Sequence, residues 1–194
     1  MNWRSTAQNW GVLAKCFHWL VAAGIFGLAG IGLYMVGMPL GLAKLKLYLL
    51  HKSLGVSVLA LVILRLLWRA FDRHPDYPEA MSNWQVRAAQ ASHALLYVLL
   101  VAVPVSGWIY NSASGFPLPW FGLLHLPAIA PVSVPLAHVA LATHKISFWI
   151  LAALVLLHAA AAVDHHVRHR DPVLSRMLPW PTATPRSKRS RGLP

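Results

Sequence analysis

Residues 144–158, HKISFWILAALVLLH, place one histidine at each end of an apolar stretch. In an α-helix, this offset of fourteen residues, at about 100° per residue, returns His158 to within about 40° of the face that carries His144. A rise of about 1.5 Å per residue separates the two positions by about 21 Å, most of a hydrocarbon core of about 30 Å. The stretch therefore predicts a membrane helix with one candidate metal ligand near each leaflet.

The composition is that of an integral membrane protein. Of 194 residues, 57% are hydrophobic and 11% are charged, and the mean hydropathy is +0.54, whereas a soluble domain has about 25% charged residues. The apolar residues concentrate in four runs of about 20 residues, the length that a bilayer requires. These runs are residues 17–36, 49–68, 88–110 and 143–163. We expect an all-α membrane protein with a bundle of four transmembrane helices, formed by residues 1–178.

The connections between the runs carry their own signals. Pro104 predicts a kink near the far end of the third helix. The first run is too long for a signal peptide, and no small-residue cleavage site follows it. Residues 111–142 contain five prolines, so they cannot form one regular helix. We expect them to lie along the outer membrane surface, with a short helix around residues 136–143.

Basic residues orient the bundle. The chain has 17 Lys and Arg against 5 Asp and Glu, but they flank apolar runs, so they indicate membrane topology and not a nucleic-acid partner. Thirteen lie on the side of both termini, and four lie on the other side (Lys44, Lys46, Lys52 and Lys145). The excess predicts that both termini are cytoplasmic. Residues 179–194 are predicted to be a disordered basic tail.

Five of the eleven histidines fall within or at the ends of the four runs, at two depths. His51 and His144 are expected near the outer side. His18, His93 and His158 are expected near the cytoplasmic side. Ionisable groups at membrane depth are costly and by default mark function. A structural hydrogen bond or an interfacial position would explain one such histidine, but five histidines at two depths favour metal ligation.

The ligand chemistry favours haem over other metal centres. A low-spin b-type haem needs two axial nitrogens on opposing helices, and neutral imidazole provides them. The single cysteine, Cys16, excludes both an internal disulfide and covalent haem attachment through a CxxCH motif. The runs contain no cysteine pair, carboxylate cluster or HExxH motif, so a hydrolytic zinc site is disfavoured. The residues alone leave two candidate ligands at the outer level and three at the inner level.

At these residues the chain resembles the bacterial cytochrome b561 family, four-helix dihaem proteins of the inner membrane. The resemblance extends from about residue 14 to residue 179. Its segments are FHWLVA (17–22), LHKSLGVSVLALVILRLLWR (50–69), SHALLYVLLVAVPVSGW (92–108), HKISFWILAALVLLHAAAAVDHH (144–166) and LSRMLP (174–179). The cytochrome b subunits of membrane formate dehydrogenases and nickel–iron hydrogenases use a similar scheme.

The resemblance implies a set of roles. It assigns His18 and His158 to an inner haem b, and His51 and His144 to an outer haem b. His93 then remains on the third helix beside the inner haem, near the quinone end of the protein. The competing assignment makes His93 an inner-haem ligand in place of His18.

Two haems stacked across the bilayer would conduct electrons between the outer side and ubiquinone. Family members include superoxide oxidases, and Lys52 and Lys145 each follow an expected outer-haem ligand, where a positive rim attracts a small anion such as superoxide. The resemblance, together with these lysines, therefore implies a multi-pass superoxide:ubiquinone oxidoreductase of the bacterial inner membrane. The alternatives are an electron-transfer subunit that links a periplasmic redox protein to quinone, and a haem-free structural or transport bundle.

Overall fold

Four long helices make up most of the molecule. The computed structural model describes residues 2–78 and 81–179. Its helices are α1 (Val12–Gly37), α2 (Leu42–Phe71), α3 (Asn83–Ala113) and α4 (Val134–Asp164), followed by a π-helical turn (His165–His169) and a short helix, α5 (Val173–Met177). Each of the four is long and apolar enough to cross a membrane, which confirms the predicted four-helix bundle. Glu79 and most of the expected basic tail lie outside the described residues.

The helices extend beyond the predicted spans. Helix α2 begins at Leu42, whereas the predicted span begins at residue 49. The difference arises because Lys44 and Lys46 lower the local hydropathy, which ends the apolar run, without lowering helix propensity. Helix α4 begins at Val134, where Ser133 caps it, so the short helix expected at 136–143 is its first two turns. His51 and His144 therefore do not begin their helices; each lies nearly three turns in.

The bundle is built from two helix pairs. Helix α1 packs along α2, α3 packs along α4, and α2 joins the pairs by packing on α3. The apolar core lies at mid-bundle and consists of Val21, Val58, Val62, Leu99, Leu100 and Leu151. Large apolar side chains such as Phe26, Trp149 and Leu156 point outward and are exposed, as expected for surfaces that face lipid. Helix α3 runs through Pro104 as one element.

A small β-hairpin caps one end of the bundle, which we call the hairpin end. Strands β1 (Leu118–Trp120) and β2 (Leu124–Leu126) pair antiparallel, and Phe121 and Gly122 in the turn have φ of 49° and 74°. Ser53 of α2 holds the hairpin because its hydroxyl donates to the Pro119 carbonyl (3.2 Å) and accepts from the Phe121 amide (3.0 Å). The sequence did not predict these strands.

The opposite end, which we call the terminal end, is closed by the segments before α1 and after α4. The Ser5 hydroxyl donates to the Asp72 carboxylate at 2.6 Å, and the Ser5 amide donates to the same carboxylate at 3.0 Å. Lys15 donates to the Leu178 carbonyl (3.0 Å), and the Trp19 indole donates to the Met177 carbonyl (2.9 Å). These bonds hold α5 against the start of α1.

Candidate haem-binding sites

The hairpin-end pair consists of His51 on α2 and His144 on α4. Their ring centroids are 6.3 Å apart, and the ring planes differ by 78°. His144 Nδ1 lies 2.8 Å from the Val103 carbonyl. A carbonyl only accepts, so Nδ1 carries the proton and Nε2 keeps a free lone pair. His51 Nδ1 is buried, and within residues 2–78 and 81–179 it has no hydrogen-bond partner.

Two glycines shape the space around these rings. A Cβ atom on Gly32 of α1 would lie 3.2 Å from His51 Cε1, and one on Gly107 of α3 would lie 3.1 Å from both Cε1 and Nδ1 of His144. Each ring of the hairpin-end pair is thus pressed against a backbone that has no side chain. Sequence reasoning missed both glycines, because the requirement arises from the register of one helix against another.

The terminal-end pair consists of His18 on α1 and His158 on α4. Their ring centroids are 6.4 Å apart, nearly the same separation as in the hairpin-end pair. A guanidinium nitrogen of Arg65 lies 3.2 Å from His18 Nδ1. Arginine only donates, so His18 Nδ1 accepts in this arrangement. The charge pattern of the sequence marks Arg65 only as a topology residue, although a charge within an apolar span is itself a functional signal.

His93 lies beside the terminal-end pair. Its ring centroid is 5.3 Å from that of His158, which is closer than the separation within either facing pair. It also lines a cavity of about 200 Å³ formed with Arg69, Tyr77, Gln90, Ala94 and Tyr97. The structure thus brings all five predicted histidines together in two groups, one of two residues and one of three.

The two facing pairs fit axial ligation of haem. A bond of about 2 Å from a metal to each imidazole nitrogen, plus about 1 Å from that nitrogen to the ring centre, places two axial rings about 6 Å apart. Both pairs match this spacing. The free Nε2 of His144 would supply a ligand of the correct tautomer, and the bond from Nδ1 to the Val103 carbonyl is the kind of contact that orients a ligating histidine. The contact between Arg65 and His18 does not have this arrangement. Iron bound at His18 Nε2 would put the proton on Nδ1, and Nδ1 could then no longer accept a hydrogen bond from Arg65.

The two lysines proposed to attract an anion lie near the hairpin end in different settings. Lys145 is exposed. Lys52 is half-buried, with Nζ 5.4 Å from the centre of the Phe116 ring. Both follow a histidine of the hairpin-end pair, but Lys52 is also packed against the segment that leads to the hairpin. Lys145 is therefore the freer of the two charges.

Comparisons with known proteins agree with this arrangement. The family described as "Prokaryotic cytochrome b561" matches residues 9–180. Cytochrome b561 homolog 2 of Escherichia coli K12 is 33% identical over 180 residues, which cover 92% of this chain and 95% of that protein. Cytochrome b561 homolog 1 of the same organism is 29% identical over 99 residues, which cover 50% of this chain and 54% of that protein. The chain therefore belongs to the prokaryotic cytochrome b561 family of membrane electron-transfer proteins, and membership implies b-type haem.

Proposed function

We propose that the protein is a dihaem cytochrome b of the bacterial inner membrane that passes electrons from superoxide on the outer side to ubiquinone near the cytoplasmic side. The observation that carries this proposal is the presence of two facing histidine pairs with nearly equal ring separations, 6.3 and 6.4 Å. Along α4 their levels differ by about 21 Å. The excess of basic residues at the terminal end supports a cytoplasmic position for that end and a periplasmic position for the hairpin end.

In this proposal His51 and His144 hold one haem b, and His18 and His158 hold the other. Bound haem supplies one-electron redox chemistry, while the protein sets its orientation and access. Val103 fixes the ring of His144, and Gly32 and Gly107 leave room for the rings to turn toward each other. The hairpin is bonded to Ser53, which lies two residues from His51 on α2.

The cavity beside His93 is the proposed ubiquinone site. Its lining combines hydrogen-bonding groups on Arg69, Tyr77 and Gln90 with the aromatic ring of Tyr97. A quinone headgroup needs donors for its carbonyls and apolar contact for its ring. His93 lines this cavity, and its ring lies 5.3 Å from that of His158. In this proposal it donates to a quinone carbonyl. We therefore assign His93 to the quinone and not to iron.

Superoxide is the proposed donor because the hairpin end presents cations near the His51 and His144 pair. Lys145 is exposed and Lys52 is half-buried, and each directly follows one histidine of that pair. A local positive potential raises the encounter rate of a small anion. Two superoxide anions each lose one electron and leave as dioxygen. One ubiquinone takes up both electrons and two protons to become ubiquinol.

A superoxide pulse in detergent tests the proposal. We expect the α-band of reduced haem to appear within milliseconds, and added ubiquinone to reoxidise it. Haem that stays oxidised while superoxide decays at its background rate would exclude superoxide as the donor. If ubiquinone still reoxidised chemically reduced protein, that result would favour an electron-transfer subunit served by a periplasmic redox protein.

A further inference from the structure

Arg65 places a positive charge against one of the two histidine pairs. A guanidinium nitrogen is 3.2 Å from His18 Nδ1, and Cζ is 5.4 Å from the centre of the Tyr97 ring. Arg65 lies within the apolar part of α2, where a charge interacts strongly because water screens it poorly. The charge thus lies beside the terminal-end pair, packed on Tyr97.

The protein does not neutralise this charge within its described part. Over residues 2–78 and 81–179, no carboxylate lies within ion-pair distance of Arg65. The acids that have close partners bind other groups: Asp72 binds Ser5, Asp164 binds Arg168 and His169, and Asp171 binds His165. The field of Arg65 therefore acts on whatever occupies the space between His18 and His158.

The hairpin-end pair has the opposite polarity. His144 Nδ1 faces the Val103 carbonyl, the negative end of a peptide dipole, at 2.8 Å. A carbonyl that accepts from a ligating imidazole raises its basicity and stabilises the more oxidised metal. A guanidinium beside the ligand does the reverse, because a cation stabilises the state that has gained an electron.

We propose that Arg65 makes the site of His18 and His158 the more easily reduced of the two haem sites. Electrons then run downhill from the hairpin end to the terminal end, which sets the direction of transfer toward the proposed quinone cavity. The inference rests on the proposed function, since it takes both pairs to hold haem. It does not depend on the hydrogen bond to Nδ1: when iron binds Nε2, the packing on Tyr97 still keeps the cation beside the ring.

The test is an optical redox titration of the purified full chain. The variant H51A removes a ligand of the hairpin-end haem, and H18A removes one of the terminal-end haem, so each titration step can be assigned to its site. We expect the terminal-end haem to have the higher midpoint potential. R65Q should lower this potential by at least about 59 mV, which is a tenfold change in the equilibrium constant of a one-electron reduction. The potential of the hairpin-end haem should not change.

Two further variants separate the charge of Arg65 from its packing. R65K keeps the charge and should keep most of the potential. R69Q removes a cation one turn away on the same helix, which lies over the same Tyr97 ring at 5.7 Å, and should shift the potential less than R65Q does. A terminal-end haem with the lower wild-type potential would overturn the inference, as would an R65Q shift no larger than that of R69Q.

If R65Q bound no haem, two other results could still overturn the inference. One is a terminal-end haem with the lower potential in the wild type, and the other is a loss of that potential in R65K, which keeps the charge. Different results would show that the proposed function is wrong. These are an unchanged haem content in H51A or H18A, or a haem that superoxide does not reduce. Neither result depends on the order of the potentials.

Discussion

At the scale of single residues, His144 is held by two contacts from α3. Its Nδ1 donates to the Val103 carbonyl, and its ring lies against Gly107, where an added Cβ would be 3.1 Å away. One contact fixes the tautomer and the other fixes the position of the ring. The position of the free Nε2 is therefore set by the backbone of α3 and not by the side chain's own freedom.

Gly107→Ala should displace this ring and reduce the haem content of the hairpin end. Overpacking at a tight site costs about 1–3 kcal/mol, so occupancy there should fall severalfold while the terminal-end haem remains. Haem content per chain and the reduced spectrum measure the loss. Gly30→Ala is the control, since a Cβ atom added there would have no neighbour within 4 Å. Equal haem content in the two variants would contradict the proposed crowding.

His93→Ala should keep both haems and slow reoxidation by ubiquinone at least tenfold, because the side chain lines the cavity and is not an assigned ligand. Stopped-flow mixing of reduced protein with ubiquinone measures the rate, and haem counting serves as the control. Loss of a haem in His93→Ala, with both retained in His18→Ala, would favour the competing assignment in which His93 replaces His18.

The histidines could be predicted from the sequence because a polar side chain in an apolar run is conspicuous. Gly32, Gly107 and the Val103 carbonyl could not be, since their importance comes from the register between helices, which hydropathy does not encode. Arg65 lies between these cases: its position in the span was visible, but its contact with His18 depends on how α1 packs on α2.

At the scale of secondary-structure elements, the hairpin depends on the Ser53 side chain. Ser53 is 3% exposed and satisfies both Pro119 and Phe121. Ser53→Ala removes the shared partner of these part-buried groups, at a cost of about 0.5–1.5 kcal/mol for each hydrogen bond. Hydrogen exchange at the Phe121 amide and its neighbours should accelerate. Ser175→Ala, at the exposed terminal end, should change nothing near the hairpin; unchanged protection in Ser53→Ala would show that other contacts hold it.

The sequence predicted the helices well and their outer ends poorly. A hydropathy window detects the stretch that faces lipid, so it missed the helical turns at 42–48, and it separated the helix expected at 136–143 from the span that this helix begins. The hairpin was missed because its strands have three residues each and include Pro119, and prolines argue against strands. Its stability comes from α2, through contacts between residues that are distant in sequence.

At the scale of the whole molecule, the charge distribution predicts an effect of salt on the reaction. Lys145→Gln removes an exposed cation at the hairpin end and should lower the second-order rate of haem reduction by superoxide by about tenfold at low ionic strength. The difference from wild type should shrink as salt is added. Arg73→Gln, an exposed cation near the terminal end, is the matched control. Equal rates in both variants would exclude steering by Lys145.

The central claim is that two facing histidine pairs each hold one haem b, and counting haem per chain tests it most directly. Pyridine haemochrome assay of the purified wild type should give two haems b per polypeptide. His51→Ala and His144→Ala should each retain one haem, and so should His18→Ala and His158→Ala, with a spectrum complementary to that of the first two. One haem in the wild type, or two in any of these four variants, would contradict the account.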